Sequence, residues 1–177
     1  VTLQDVLAHT SGLIPHAYTN LIEDNVPYSD VVQRLKTVDF SCAPKACYGY
    51  QNVVFSLAGD MIQARSGETY EDFVGKHLFA PLGMTRCQAG DWSPTTLGNV
   101  AQPHRRGAQS PEVGRRDGDW EADFPSMAAG GVRCSLTDML RWSQVLLQPE
   151  LVPGWLDATQ RRALWTAHMP MPINTRL

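Results

Sequence analysis

Apolar positions recur along this chain at helical rather than strand spacing. Leu3, Val6 and Leu7 share one face after Thr2-Leu3-Gln4-Asp5, which has the form of a capping box, and Gly12 ends the segment. The spacing predicts a second short helix from Ser29, with Val32 and Leu35 on its apolar face, and then an irregular stretch over 39–49 rich in Cys, Pro and Gly. The clearest period runs from Asn52 to Ser66, where Val54, Leu57, Ala58, Met61 and Ile62 build an apolar face and Gly67 supplies the stop. Thr69 caps a fourth predicted helix, which carries Phe73, Val74, His77 and Leu78 and halts at Pro81. Residues 83–130 show no helical period and are too long for an ordinary connection. Ser135 caps a fifth helix with Leu140, Trp142, Val145 and Leu146, and Asp157 a sixth, running to about Ala167.

Composition narrows what such a helical chain does. It has 177 residues, 43% hydrophobic and 19% charged, which suits one soluble domain or a large subdomain. A formal charge of −3 and a pI near 5.9 call for no nucleic acid partner. No apolar run approaches the roughly 20 residues that a membrane-spanning helix needs. The four arginines Arg105, Arg106, Arg115 and Arg116 lie among Asp117, Asp119 and Glu121, so they read as a solvated, locally neutralised loop; a rim facing an anionic substrate is the sharper alternative. The chain opens on Val1 directly into a helix and ends without a closing element, and both ends read as cut. The expectation is therefore the middle of a longer protein, from which a targeting signal would be missing.

The chemistry-bearing residues are sparse. The chain has no G-x-S-x-G, no H-E-x-x-H and no phosphate-binding glycine loop, and no cofactor or metal is expected. The segment that stands out is Tyr50-Gln51-Asn52, placed immediately before the clearest helix. A helix N-terminus carries partial positive charge and unpaired N–H groups. A phenol there has its ionised form favoured, and a side-chain amide there can either cap the helix or face a ligand. Taken alone, Tyr-x-Asn is a weak signal, since both residue types are common near helix starts for capping and packing.

Five landmarks in order raise its weight. Thr2-Leu3-Gln4-Asp5-Val6-Leu7-Ala8-His9-Thr10-Ser11-Gly12-Leu13 resembles the T-L-x-D-L-L-x-H-T-S-G-L segment of the β-lactamase-related serine hydrolases. Tyr50-Gln51-Asn52 resembles their Y-x-N. Ser66-Gly67-Glu68-Thr69-Tyr70 and Pro81-Leu82-Gly83-Met84 resemble S-G-x-x-Y and P-L-G-M. Ala129-Gly130-Gly131, followed by Ser135-Leu136-Thr137-Asp138-Met139, resembles A-G-G and S-x-x-D-[ML]. The implied fold is mainly α: the helical central region, residues 1–177, of the α+β β-lactamase/transpeptidase-like fold, without most of its antiparallel sheet and with the flanking parts absent.

The resemblance also implies a mechanism and a place. A serine, assisted by a lysine one helical turn later, would attack a β-lactam, an acyl-D-Ala-D-Ala peptide of peptidoglycan or an ester. Tyr50 would be the general acid/base, and Asn52 the amide that holds the substrate. A free phenol ionises near pH ~10, so Tyr50 would need cationic neighbours to act at neutral pH. Those neighbours are missing here. No serine is followed three residues later by lysine, Lys36-Thr37 is followed by Val38, and no histidine begins H-x-G. The chain alone is therefore expected to be inactive, with the nucleophile, its lysine and the third motif outside it. A non-catalytic binding module of the same fold is the alternative. The setting implied is a bacterial periplasm or export, where Cys42–Cys47 and Cys87–Cys134 bridges compete with the plainer reading of four reduced thiols. His9 and Ser11 are assigned to packing and helix termination. His16 reads as a surface-loop residue, with the cleft wall as the alternative.

Overall fold

A computed structural model describes residues 1–24, 26–90, 101, 104–106, 111–113 and 128–170. The architecture is helical. In chain order the helices are α1 (Leu3–Leu7), α2 (Thr19–Glu23), α3 (Tyr28–Arg34), α4 (Asn52–Ser66), α5 (Tyr70–Val74), α6 (Ala80–Leu82), α7 (Leu136–Leu147) and α8 (Ala158–Trp165). Among the described residues the only sheet is a two-stranded antiparallel ribbon. Its strands are β1 (His104–Arg106) and β2 (Pro111–Val113), with Arg105 opposite Glu112. Both strands fall in the 83–130 stretch that shows no helical period, and Arg115 and Arg116 lie outside the described residues.

Side-chain caps mark the start of four of the eight helices named. Thr2 closes its capping box with Asp5, and Thr69, Ser135 and Asp157 each accept from the backbone N–H three residues on. The first helix after Gly12 differs from expectation. Helix α2 starts from Tyr18 in a left-handed conformation and has no side-chain cap, so it carries no start signal in the sequence. Helix α3 begins at Tyr28, one residue before Ser29, and its buried residue is Val31, packed with Ile22 and Val53, while Val32 and Leu35 pack only partly against that cluster. Pro81 does not halt the fourth helical run. The chain passes from α5 through a π turn (Gly75–Phe79) into α6 and stops at Gly83, with φ 70°. Pro81 sits in the first turn of α6, where the absence of an N–H costs little.

Two apolar clusters result. Ile22, Val31 and Val53 join α2, α3 and α4, flanked by Tyr18, Tyr28 and Leu35. Val74, Phe79, Leu82, Met84, Ala89 and Val145 join the α5–α6 run to α7, with Trp142 and Trp155 meeting edge-on at 5.5 Å. Both cystine bridges are formed. Cys42–Cys47 closes a short loop, and Cys87–Cys134 stands beside a reciprocal pair of 2.8 Å backbone bonds between Gln88 and Arg133.

Candidate active site

Helix α4 spans Asn52–Ser66, as its period predicted, but its burial is concentrated at the N-terminal end, on Val53, Val54, Ser56 and Ala58. Met61 is exposed. The helix is thus anchored at the end that carries Tyr50-Gln51-Asn52. Gln51 is the N-cap in extended backbone, and it makes no side-chain capping bond. Asn52 is the first helical residue, so its amide does not cap the helix, and it is half-buried. Tyr50 is 41% exposed.

The segment before the helix is gripped by the loop after α1. Gly49 donates its N–H to the His9 carbonyl at 2.9 Å, and His16 donates to the Tyr50 carbonyl at 2.9 Å. Gln51 donates its N–H to His9 Nδ1 at 3.2 Å, and its own Nε2 donates to the Ile14 carbonyl at 3.0 Å. Gln51 is fully buried, and its Oε1 has no partner among the described residues. Gly49 fits closely here: a Cβ would lie 3.0 Å from the Leu13 carbonyl oxygen, a tight contact.

The loop itself is tightly wound. His9 and His16 hold φ of 56° and 57°, and Gly12 holds 87°. The Gly12 carbonyl accepts from Ser41 and Cys42, and Thr10 accepts from Lys45, so the small disulfide loop is seated on the His9–Gly12 turn. Thr10 and Ser11 are buried, and Ser11 Oγ accepts from the Leu13 N–H.

Aromatic rings close around Tyr50. The His9 ring lies 4.7 Å from that of Tyr50, 5.2 Å from Phe55 and 5.7 Å from Tyr48, and the His16 ring is 5.4 Å from Tyr50. Burial holds the His9 imidazole below its usual pKa. Because a backbone N–H points at Nδ1, the neutral ring carries its proton on Nε2. These ring contacts agree with the reading of His9 as a packing residue; which ring it packs on has no local signal, because 41 positions of sequence separate His9 from Tyr50.

A second landmark reaches the same place. Ser56 Oγ donates to the Asn52 carbonyl at 2.9 Å and accepts the Ala129 N–H at 3.3 Å. Ala128 packs on Gly59, where a Cβ would lie 3.4 Å away. The Ala129-Gly130-Gly131 segment is thereby fastened to the first turns of α4. The remaining landmarks touch the other core through individual residues, with Tyr70 packed at its edge. Leu82 and Met84 are buried there, and Asp138 accepts the Arg86 N–H at 2.8 Å. A separate polar hollow of about 130 Å³ beside α1, lined by Thr2, Asp5, Lys45 and His168, includes neither Tyr50 nor Asn52. Among the described residues no three His, Cys, Asp or Glu side chains converge to hold a metal. Nor is any helix there long and apolar enough to cross a membrane.

Comparison with known proteins agrees with this architecture. The family model described as Beta-lactamase matches residues 1–173. A D-aminopeptidase of Brucella anthropi is 31% identical over 123 residues, covering 66% of this chain and 21% of that protein. An unguisins hydrolase of Aspergillus violaceofuscus is 24% identical over 157 residues, covering 84% of the chain and 27% of the relative. Among solved structures, the octameric penicillin-binding protein homologue from Pyrococcus abyssi superposes with a TM-score of 0.72 at 20% identity, over 98% of this chain and 40% of that one. The chain therefore spans only about a quarter of these curated relatives.

Proposed function

Since the chain belongs to the beta-lactamase family, we propose that the whole protein is a serine hydrolase that acylates and deacylates its serine on β-lactams, D-Ala-D-Ala peptides of peptidoglycan or esters. In this reading Tyr50 is the general acid/base and Asn52 holds the substrate's amide side chain. The observation that carries it is the build of the Tyr50-Gln51-Asn52 corner. A half-exposed phenol stands at the anchored end of α4, its backbone held by the loop after α1, and the same first turns of the helix bind Ala129 through Ser56. The likeness to a D-aminopeptidase favours small substrates bearing a D-residue.

The chemistry follows from what a phenol can do there. The serine oxygen bonds to the substrate carbonyl as its proton passes to the phenolate of Tyr50. Tyr50 then returns that proton to the departing nitrogen or oxygen as the C–N or C–O bond breaks. Water releases the acyl group by the same route in reverse. Residues 1–177 contain no S-x-x-K, so the serine and the cations that favour the phenolate would be contributed by other parts of the whole protein. Two cystines within one small unit support export to an oxidising compartment such as the periplasm.

Tyr50→Phe in the whole protein is the deciding test. It is expected to lower kcat by about 10²–10⁴-fold with an unchanged melting temperature. Near-normal turnover would remove Tyr50 from the reaction. Residues 1–177 alone are expected to leave a chromogenic cephalosporin intact and to take no covalent label from a fluorescent penicillin. Labelling that unlabelled penicillin blocks would contradict this.

A further inference from the structure

We propose that His9 is the positioning residue for Tyr50, gripping the Tyr50–Gln51 peptide through its Nδ1 and backing the phenol with its ring. The proposal rests on the reading of Tyr50 as the proton carrier and adds the device that aims it.

Three observations converge on one side chain. First, His9 holds the segment before α4 twice. Its carbonyl accepts from Gly49 at 2.9 Å, and its ring nitrogen accepts from Gln51 at 3.2 Å. The two bonds straddle Tyr50, so the imidazole does at Gln51 what a neighbouring strand's carbonyl would do in a sheet. Second, its ring is in contact range of Tyr50 at 4.7 Å and of Phe55, one turn into α4, at 5.2 Å. The phenol ring is therefore referenced directly to the helix. Third, His9 stands in left-handed backbone at φ 56°, which a side chain other than Gly adopts only when its surroundings hold it there. Gly12, at φ 87° with a Cβ position 2.5 Å from the Cys42 carbonyl oxygen, keeps the same turn wound.

The residue type fits the task. The position needs an acceptor two bonds from Cβ and a flat ring in one side chain. Asn offers the acceptor and tolerates positive φ but has no ring. Phe offers the ring and no acceptor. Only the unprotonated Nδ1 can receive the Gln51 N–H. His16 adds to the grip, its backbone N–H donating to the Tyr50 carbonyl and its ring lying 5.4 Å from the phenol ring.

The bond can be tested without any substitution. In the parent chain, a through-hydrogen-bond ¹⁵N–¹⁵N coupling is expected between the Gln51 amide nitrogen and His9 Nδ1; its absence in a well-resolved spectrum would overturn the proposal. Two variants of the whole protein then separate positioning from mere packing. His9→Phe is expected to speed exchange of the Gln51 amide by about tenfold or more and to lower kcat by at least about tenfold with KM little changed. His9→Asn is expected to keep that amide protected and to lose clearly less of kcat than His9→Phe, the residual loss reporting the missing ring. Equal losses of kcat in the two variants, or an amide equally protected in both, would refute the role. If Tyr50→Phe keeps its activity, the reading of Tyr50 falls, while the coupling and exchange still report on the grip.

Discussion

Gly12 shows how a single backbone angle can decide a neighbourhood. Its φ of 87° and the 2.5 Å approach of the Cys42 carbonyl leave no room for a side chain. Gly12→Ala is therefore expected to cost at least ~2 kcal/mol in a denaturant titration; a loss below half that value would mean the loop relaxes freely. His9 carries a pH dependence of known sign. Burial lowers its pKa in the folded chain from the ordinary 6.5. Above that pH both states hold a neutral ring, and the full stability is present. As pH falls through 6.5 toward the lowered value, the unfolded chain takes up a proton that the folded one resists, and stability is lost. Between pH 7.5 and 5.5 the parent should lose more stability than His9→Asn, which has nothing to titrate there. Parallel losses would assign the effect to other groups.

At the scale of elements, helix starts were legible and their partners were not. Thr2, Thr69, Ser135 and Asp157 announce their helices because a cap is a local bond between residues three apart. Ser135→Ala is accordingly expected to destabilise the protein by ~1 kcal/mol, read as a lowered denaturation midpoint with α7 otherwise intact; an unchanged midpoint would show that the Asp138–Arg86 bond alone fixes the helix start. Helix α2 has no signal in the sequence because it begins from an uncapped left-handed Tyr18 and is held by burying Ile22 against Val31 and Val53. Pro81 misled in the opposite direction. The π turn before it re-phases the chain, so the proline enters at the start of a turn and the helix runs on to Gly83.

Over the whole molecule, two covalent bridges and two apolar clusters divide the labour. Cys87–Cys134 closes a loop of sequence separation 47 beside the core of Val74, Phe79 and Val145, and Cys42–Cys47 one of separation 5 beneath the His9–Gly12 turn. Loop-closure entropy assigns roughly 4 kcal/mol to the longer bridge and roughly 2 kcal/mol to the shorter. The paired Cys87→Ser, Cys134→Ser variant should thus lose more stability than Cys42→Ser, Cys47→Ser. The reverse order in urea midpoints would show that the short loop has the larger effect by seating the turn that holds Tyr50.

What the sequence by itself determined is local: the helix caps, the period of α4, the Gly67 stop, and a run of motifs specific enough to point to a beta-lactamase relative through Tyr50-Gln51-Asn52. These are legible because each depends on residues within a turn or two of one another. Tertiary structure alone decided that Asn52 leads the helix rather than caps it, that Gln51 is buried between them, that Ser56 fastens Ala129 to the helix start, and that His9 comes to lie against Tyr50. Those facts depend on long-range packing of the α1 loop against α4, which no periodicity encodes. The corner that the family's chemistry would use is thus spelled out in the chain, while the groups that hold it in position are brought there only by the fold.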